Sequence, residues 1–257
     1  MIESTSDRPI VSIVVATYGR CGRLQHCIES VRRNVGVSHE LIVVGGGAGD
    51  GTEEWLDEQT DIHFIRETQR EGATRAYNKG FHAARGERVM WLNDDSYPLP
   101  GAVEAAVAML DRPDLDDVGM IAFYHNWDRE RNRLDSIEQG GRIFSIYNVR
   151  GVPYANFGLL RNELLKRLGY LDERYYFCAW DPDLSLKVQR EAGLKVMGCR
   201  DALVDHEELH DERKDRDLAI ARVDNEKLFS KWNLPEPFTY PDPATAYRQM
   251  LRDRGLI

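Results

Sequence analysis

Short β-branched runs alternate with stretches of helical periodicity along the first part of the chain. Ile10 to Ala16 (IVSIVVA) predicts a buried strand. Leu24, Cys27, Ile28 and Val31 then recur at the spacing of one helix face. Leu41 to Val44 predicts a second strand, followed by a glycine-rich turn from Gly45 to Gly51. Asp50 and Glu53 have the look of a capping box that opens a helix through Trp55 and Leu56. Ile62 to Ile65 predicts a third strand, Gly72 to Arg85 a helix, and Arg88 to Leu92 a fourth strand. Strands alternating with helices imply an α/β fold built on a doubly wound, mostly parallel sheet. Ligands of such sheets sit beyond the carboxyl ends of the strands. That rule singles out the loops Thr17–Arg20, Gly45–Gly51 and Asn93–Ser96.

The second half is less regular. Met120 to Gly158 mixes aromatics, charges and glycines and dictates no elements. Glu163 to Leu168 and Pro182 to Ala192 read as helices, and Leu194 to Gly198 as a strand. Val204 to Asp217 is dense in charge and reads as a mobile loop or a helix start, and Leu218 to Trp232 reads as a helix. Pro235, Pro237, Pro241 and Pro243 mark a linker before a last short helix near Ala246 to Arg252.

Composition narrows the partners. A chain of 257 residues, 42% hydrophobic, suits one globular domain with a sizeable core and a small appendage. A formal charge of -9 argues against a nucleic-acid partner, whose binding rests on phosphate neutralisation. The four cysteines form no CxxC pair and read as reduced thiols of a cytoplasmic protein. Met1 to Pro9 is polar and lacks the apolar core of a signal peptide. No apolar run reaches the length of a transmembrane segment.

Three motifs offer chemistry. Trp91-Leu92-Asn93-Asp94-Asp95 delivers two acids and an amide from a strand to the ligand edge. Hard oxygen ligands there suit Mg2+ or Mn2+ bound with a diphosphate, and the plain alternative is a solvated turn. In Trp180-Asp181-Pro182-Asp183-Leu184, Asp181 is placed to cap a helix with Pro182 at its first position. A helix dipole holds such a carboxylate ionised, ready to accept a proton from an attacking hydroxyl. Val204-Asp205-His206 supplies an imidazole, which matters only where other ligands converge on it.

The order of these pieces resembles that of the family 2 glycosyltransferases, which have the GT-A fold. VSIVVATYGR resembles the family's first strand and donor loop, and ELIVVGGGAGDGTEEWL its second strand and glycine turn. GATRAYNKGFHAARGERVMWLNDD resembles its helix, fourth strand and DxD region. GLLRNELLKRLGYLDERYYFCAWDPDLSLKVQREAGLKV resembles the block that ends in its Glu-Asp-x-Asp-Leu signature, and DNEKLFSKW its closing helix. The likeness implies one GT-A domain over residues 1–232 and a C-terminal tail over 233–257. Residues 10–119 would bind the nucleotide sugar, and 120–232 would hold the acceptor and the catalytic group.

The resemblance implies an inverting transfer from a nucleotide-diphosphate sugar, dependent on Mn2+ or Mg2+. Asp95 and His206 would hold the metal, and Asp181 would be the catalytic base. Asp94 would contact the donor ribose, with Asn93 in place of the usual first acid. Thr17, Tyr18, Arg20 and Arg75 lie where donor contacts are made. The chain departs from the pattern at Gly45 and Gly46, where an acid usually holds the base, so uridine does not follow. It departs again at Trp180, where the signature has Glu. An indole there would form an apolar or stacking wall for a sugar ring.

The acceptor stays open between a saccharide, a lipid carrier, a small molecule and a protein. Trp127, Tyr154 and Trp180 are the aromatics that would face it. Glu207 to Asp217 reads as a lid or a solvated charged face. The tail reads as packing in cis or carrying a homodimer contact. Rival readings are a retaining glycosyltransferase or sugar nucleotidyltransferase of the same fold, and a non-catalytic sugar-nucleotide binder. A further rival is a zinc metalloprotease, because His206-Glu207-Glu208-Leu209-His210 fits HExxH and on a helix would set both histidines on one face.

Overall fold

The computed structural model describes residues 8–126, 130, 132–207, 212–235 and 242–257. Four parallel strands form its first half: β1 (Val11–Thr17), β2 (His39–Gly45), β3 (Ile62–Arg66) and β4 (Arg88–Asn93). They lie in the order β3-β2-β1-β4, joined by helices α1 (Cys21–Asn34), α2 (Thr52–Asp57) and α3 (Ala73–Ala83). Val11, Ile13, Val14 and Val15 are all buried, as the largely apolar run of β1 requires of a central strand, and the one polar side chain among them, Ser12, donates to Glu40. Each such side chain contributes about 1.5–3 kcal/mol. Gly80 lets α3 lie directly on β1, since a Cβ there would stand 2.3 Å from Val14 Cγ1.

The capping box is not formed. Helix α2 is entered through Gly51 in the left-handed region, without a side-chain cap. Asp50 instead accepts from Thr52 N and from Cys21 N at the start of α1, and Glu53 accepts from Gly47 N.

The stretch that dictated no elements is mostly strand. After β5 (Ser96–Pro98) and α4 (Ala102–Leu110), the chain forms β6 (Val118–His125), β7 (Arg133–Gln139), β8 (Arg142–Val149), β9 (Val152–Tyr154) and β10 (Gly158–Arg161). Then come α5 (Asn162–Arg167), α6 (Trp180–Leu186, continued by a π-helical turn to Glu191), β11 (Lys195–His206), α7 (Glu212–Trp232) and α8 (Pro243–Asp253). The sheet continues β4-β10-β6-β11-β5. β10 runs antiparallel to both β4 and β6, while β6 and β11 are parallel. The expected doubly wound, mostly parallel sheet is therefore present, with β7, β8 and β9 added beside β6 as an antiparallel ribbon. The C-terminal helix packs in cis: Tyr247 is buried and its hydroxyl accepts from Gly198 N at 2.7 Å. No helix among the described residues is long and apolar enough to cross a membrane. All four cysteines are free thiols.

Candidate active site

The carboxyl ends of β1 and β4 lie side by side, with Ala16 opposite Asn93. Just beyond them, Thr17 Oγ1 donates to Asp94 Oδ2 at 2.9 Å. Arg20 enters from the start of α1. Its Nη1 lies 2.6 Å from Asp95 Oδ2 and 3.4 Å from Asp94 Oδ1. The imidazole arrives through strand pairing. β11 runs antiparallel to β5, so His206 stands opposite Ser96, and Glu207 N donates to Asp95 O at 3.0 Å. This register brings His206 Nε2 to 3.4 Å from Asp95 Oδ1. Asn126 Oδ1 fixes the His206 backbone by accepting from its N–H at 2.6 Å.

Burial pushes the Asp95 carboxyl up, but the hydrogen bond and charge of His206, with Arg20, outweigh it and hold Asp95 below the ordinary carboxylate range. Asp95 Oδ1 is buried without a hydrogen bond of ordinary geometry. Two ligands about 2.1 Å from one cation, at 90–110°, stand about 3.0–3.4 Å apart. The Oδ1–Nε2 pair fits that separation. Among the described residues no three acidic, histidine or cysteine side chains converge as a metal cage. Remaining coordination positions would therefore fall to phosphate oxygens and water, which suits Mg2+ or Mn2+ better than an all-protein site. Asn93 adds no charge. Its side chain meets the hydroxyl of buried Tyr77 at 2.9 Å, and that hydroxyl also donates to Leu92 O at 2.8 Å.

Asp181 comes from a different part of the chain. It is the second residue of α6 rather than its N-cap. The cap is Ala179 at φ 69, and Pro182 stands third. The loop before the helix imposes this start. Buried Asp224 on α7 accepts from the N–H groups of Tyr176, Phe177 and Cys178 through one oxygen. Asp183 Oδ1 accepts from Tyr175 Oη and Trp232 Nε1. Ser185 Oγ donates to Asp181 O and accepts from Ala155 N, tying the turn after β9 to the first turn of α6. The expectation of a carboxylate held ionised by the dipole is reversed: desolvation pushes the Asp181 carboxyl up to about 7.

Asp95, His206 and Asp181 line one cavity of about 930 Å³. Thr17, Tyr18, Arg20, Asn93, Asp94 and Tyr154 line it too. Trp180 also reaches it, yet is only 5% exposed. Its ring packs 4.5 Å from that of Tyr77 and edge-on to Trp91, so it is a packed support rather than an open stacking wall. Gly45, Gly46 and Arg75 are not among the lining residues. A Cβ at Gly45 would stand 2.5 Å from Thr17 O, and one at Gly46 would stand 2.3 Å from Glu67 O, so both positions are needed for close backbone approach. Arg75 faces Glu173 at 3.5 Å with half its side chain exposed. Trp127 lies outside the described residues.

Sequence reasoning missed Glu67 and Arg70, which line the cavity from the loop after β3. The rule that picked out the other strand ends applies equally to that one. It also missed Asp217, whose buried carboxylate makes two bonds with Arg70, at 2.9 and 2.7 Å. That pair joins α7 to the loop after β3, where the Arg70 guanidinium lies 5.2 Å over the Tyr18 ring. Of the charged 204–217 stretch, Val204–His206 is the end of β11 and residues 212–217 belong to α7. Glu207 pairs with Arg23 and Tyr97. His206 thus ends a strand, and the helix required by the HExxH reading is missing at its first histidine. His210 lies outside the described residues.

Comparison with known proteins follows the same lines. Residues 12–169 match the model of glycosyl transferase family 2. The chain is 26% identical over 199 residues to YwdF, an uncharacterized glycosyltransferase of Bacillus subtilis, covering 74% of this chain and 71% of that protein. EpsJ, an uncharacterized glycosyltransferase of the same organism, is 27% identical over 197 residues, covering 72% of this chain and 57% of that protein. The fold is similar to that of a mannosyltransferase from Pyrobaculum calidifontis in complex with GDP-Man and Mn2+. The TM-score is 0.65 at 18% identity, covering 93% of this chain and 67% of the other. It is similar also to S. aureus TarS in complex with UDP-GlcNAc, with a TM-score of 0.57 at 16% identity, covering 85% of this chain and 66% of the other. The shared fold, the strand-end acids and the match over most of the sheet agree, and the chain belongs to glycosyl transferase family 2.

Proposed function

We propose that the chain is a metal-dependent, inverting glycosyltransferase moving a sugar from a nucleotide-diphosphate sugar to an acceptor hydroxyl. The observation that carries this reading is that Asp181 faces the same cavity as the Asp95–His206 pair. Thr17, Arg20 and Asp94 form a hydrogen-bonded platform at the strand ends, suited to the ribose and diphosphate of a donor. Asp95 Oδ1 and His206 Nε2 would hold Mn2+ or Mg2+, and that cation would neutralise charge on the leaving diphosphate. A mannosyltransferase of similar fold is known in complex with Mn2+ and GDP-Man, which supports the same use here.

Asp181 takes the proton of the acceptor hydroxyl as it attacks. A carboxyl pushed up to about 7 is half ionised at neutral pH and holds the proton it receives. Tyr154 and the α7 residues Asn225 and Phe229 line the same cavity and are the groups we assign to the acceptor. Its class is left to assay among saccharides, lipid carriers, small molecules and proteins, and the site of action is taken as the cytoplasm.

The test is transfer from a panel of UDP- and GDP-sugars to a mixed acceptor set, with and without EDTA. Product made with Mn2+, lost in EDTA and of inverted anomeric configuration by NMR, supports the reading. Undiminished product in EDTA removes the metal. A retained configuration removes the single-displacement step. No transfer or donor hydrolysis under any condition favours a binding protein, since fold alone does not make an enzyme.

A further inference from the structure

The cation part of the proposed site already contains a cation of the protein's own. Of the four carboxylate oxygens on Asp94 and Asp95, three have partners: Asp94 Oδ2 takes Thr17 Oγ1, while Asp94 Oδ1 and Asp95 Oδ2 face Arg20 Nη1. The Arg20 side chain is only 8% exposed, so its charge is poorly screened by solvent. The fourth oxygen, Asp95 Oδ1, is the one that faces His206. Asn93 is neutral. Among the described residues, the Asp94 and Asp95 carboxylates and the Arg20 guanidinium together carry a single net negative charge, before His206 is counted.

We infer that Arg20 makes cation binding conditional on the donor: the guanidinium competes with a divalent cation for the two acids until a nucleoside diphosphate supplies its own negative charge. The inference rests on the metal-dependent reading above and deepens it. Without nucleotide, an incoming divalent cation has one carboxylate oxygen and one imidazole nitrogen from the protein, and meets a buried positive charge a few ångströms away. That is too few ligands and the wrong neighbour for tight binding. With nucleotide, the diphosphate oxygens add ligands and charge. Arg20 then becomes a second counter-ion to the phosphates, through a fork suited to phosphate recognition. Binding of the two ligands is therefore coupled, and by linkage each tightens the other by the same factor. Arg20 acts here as a positioning residue that times cation entry.

The experiment measures Mn2+ affinity by the EPR signal of the free ion, with and without UDP or GDP, on the full chain. It uses wild type, Arg20→Gln and Arg20→Lys, each checked for an unchanged circular dichroism spectrum. Wild type is expected to bind Mn2+ about 100-fold more tightly with nucleotide than without. In Arg20→Gln, Mn2+ binding without nucleotide should tighten by about tenfold or more, and metal-free nucleotide binding should weaken. Arg20→Lys keeps the charge and should retain the wild-type coupling. A merely structural role would not tighten binding of one ligand while loosening the other. Equal wild-type affinity with and without nucleotide overturns the inference and leaves the transferase reading standing, and that arm needs no variant. Equal nucleotide-free affinity in wild type and Arg20→Gln also overturns it. No Mn2+ bound even with nucleotide overturns the metal site itself, and this inference with it.

Discussion

Asp181→Asn should remove turnover and, above neutral pH, make the fold more stable. The two effects have one origin. Desolvation raises the Asp181 carboxyl from 3.8 to about 7 in the folded chain. At pH 5 the folded state keeps this proton and the unfolded state has lost it. Between pH 5 and 7 stability therefore falls by about 1.4 kcal/mol per pH unit, and above the folded value the loss stops. The contribution is fully present below the unfolded value and is lost as pH rises through about 7. Asparagine has nearly the same shape and no charge at any pH. The stability advantage of Asp181→Asn over wild type should thus widen by about 3 kcal/mol from pH 5 to pH 9, as a ceiling set by water in the cavity. Urea unfolding of both proteins at pH 5, 6, 7, 8 and 9 measures it. In the same variant turnover should fall by about 10²–10⁴. Wild-type kcat/KM should rise about tenfold per pH unit up to about 7 and then level. A stability gap that does not change with pH, or normal turnover in Asp181→Asn, would refute the assignment of a desolvated base.

Other outcomes follow from the same geometry. Arg70→Ala leaves the buried Asp217 carboxylate without its two bonds and should cost about 3 kcal/mol in urea unfolding, whereas a change under about 0.5 kcal/mol would place the pair in solvent. Gly46→Asp, which puts back an acid of the family's usual kind, should lower UDP affinity rather than raise it, because its Cβ would collide with Glu67 O; calorimetry showing tighter binding would contradict this.

Much of the first half of the fold was readable because its rules are local. A strand buried on both faces is largely apolar, and Val11–Thr17 and Arg88–Asn93 show it in the runs Ile13–Ala16 and Val89–Leu92. The strands of 118–161 escaped because their neighbours decide their fate. β7 is half exposed, β8 carries Ser145 and Asn148 in buried positions, and β10 is only four residues long. No single-strand pattern announces these, since what holds them lies outside the strand itself, as when Asn148 Nδ2 donates to Asn132 O and Asn148 Oδ1 accepts from Gly151 N.

The same division runs through the site. Thr17, Asp94 and Asp95 follow from a general rule about strand ends. His206 beside Asp95 follows from a register between β5 and β11 that lies more than a hundred residues apart in sequence and is written in no local motif. Asp181 shows how a correct local rule gives a wrong sign. An acid in the first turn of a helix is favoured by the dipole, and alone that argues for an ionised group. Here the helix is short, Trp180 beside it packs against Tyr77 and Trp91, and Asp224 fastens the preceding loop from another element. At the Asp181 carboxyl, burial outweighs what the helix terminus offers, so desolvation decides the balance. A base that binds its proton near neutrality is the product of that burial, and the sequence around it, taken by itself, argues for the opposite.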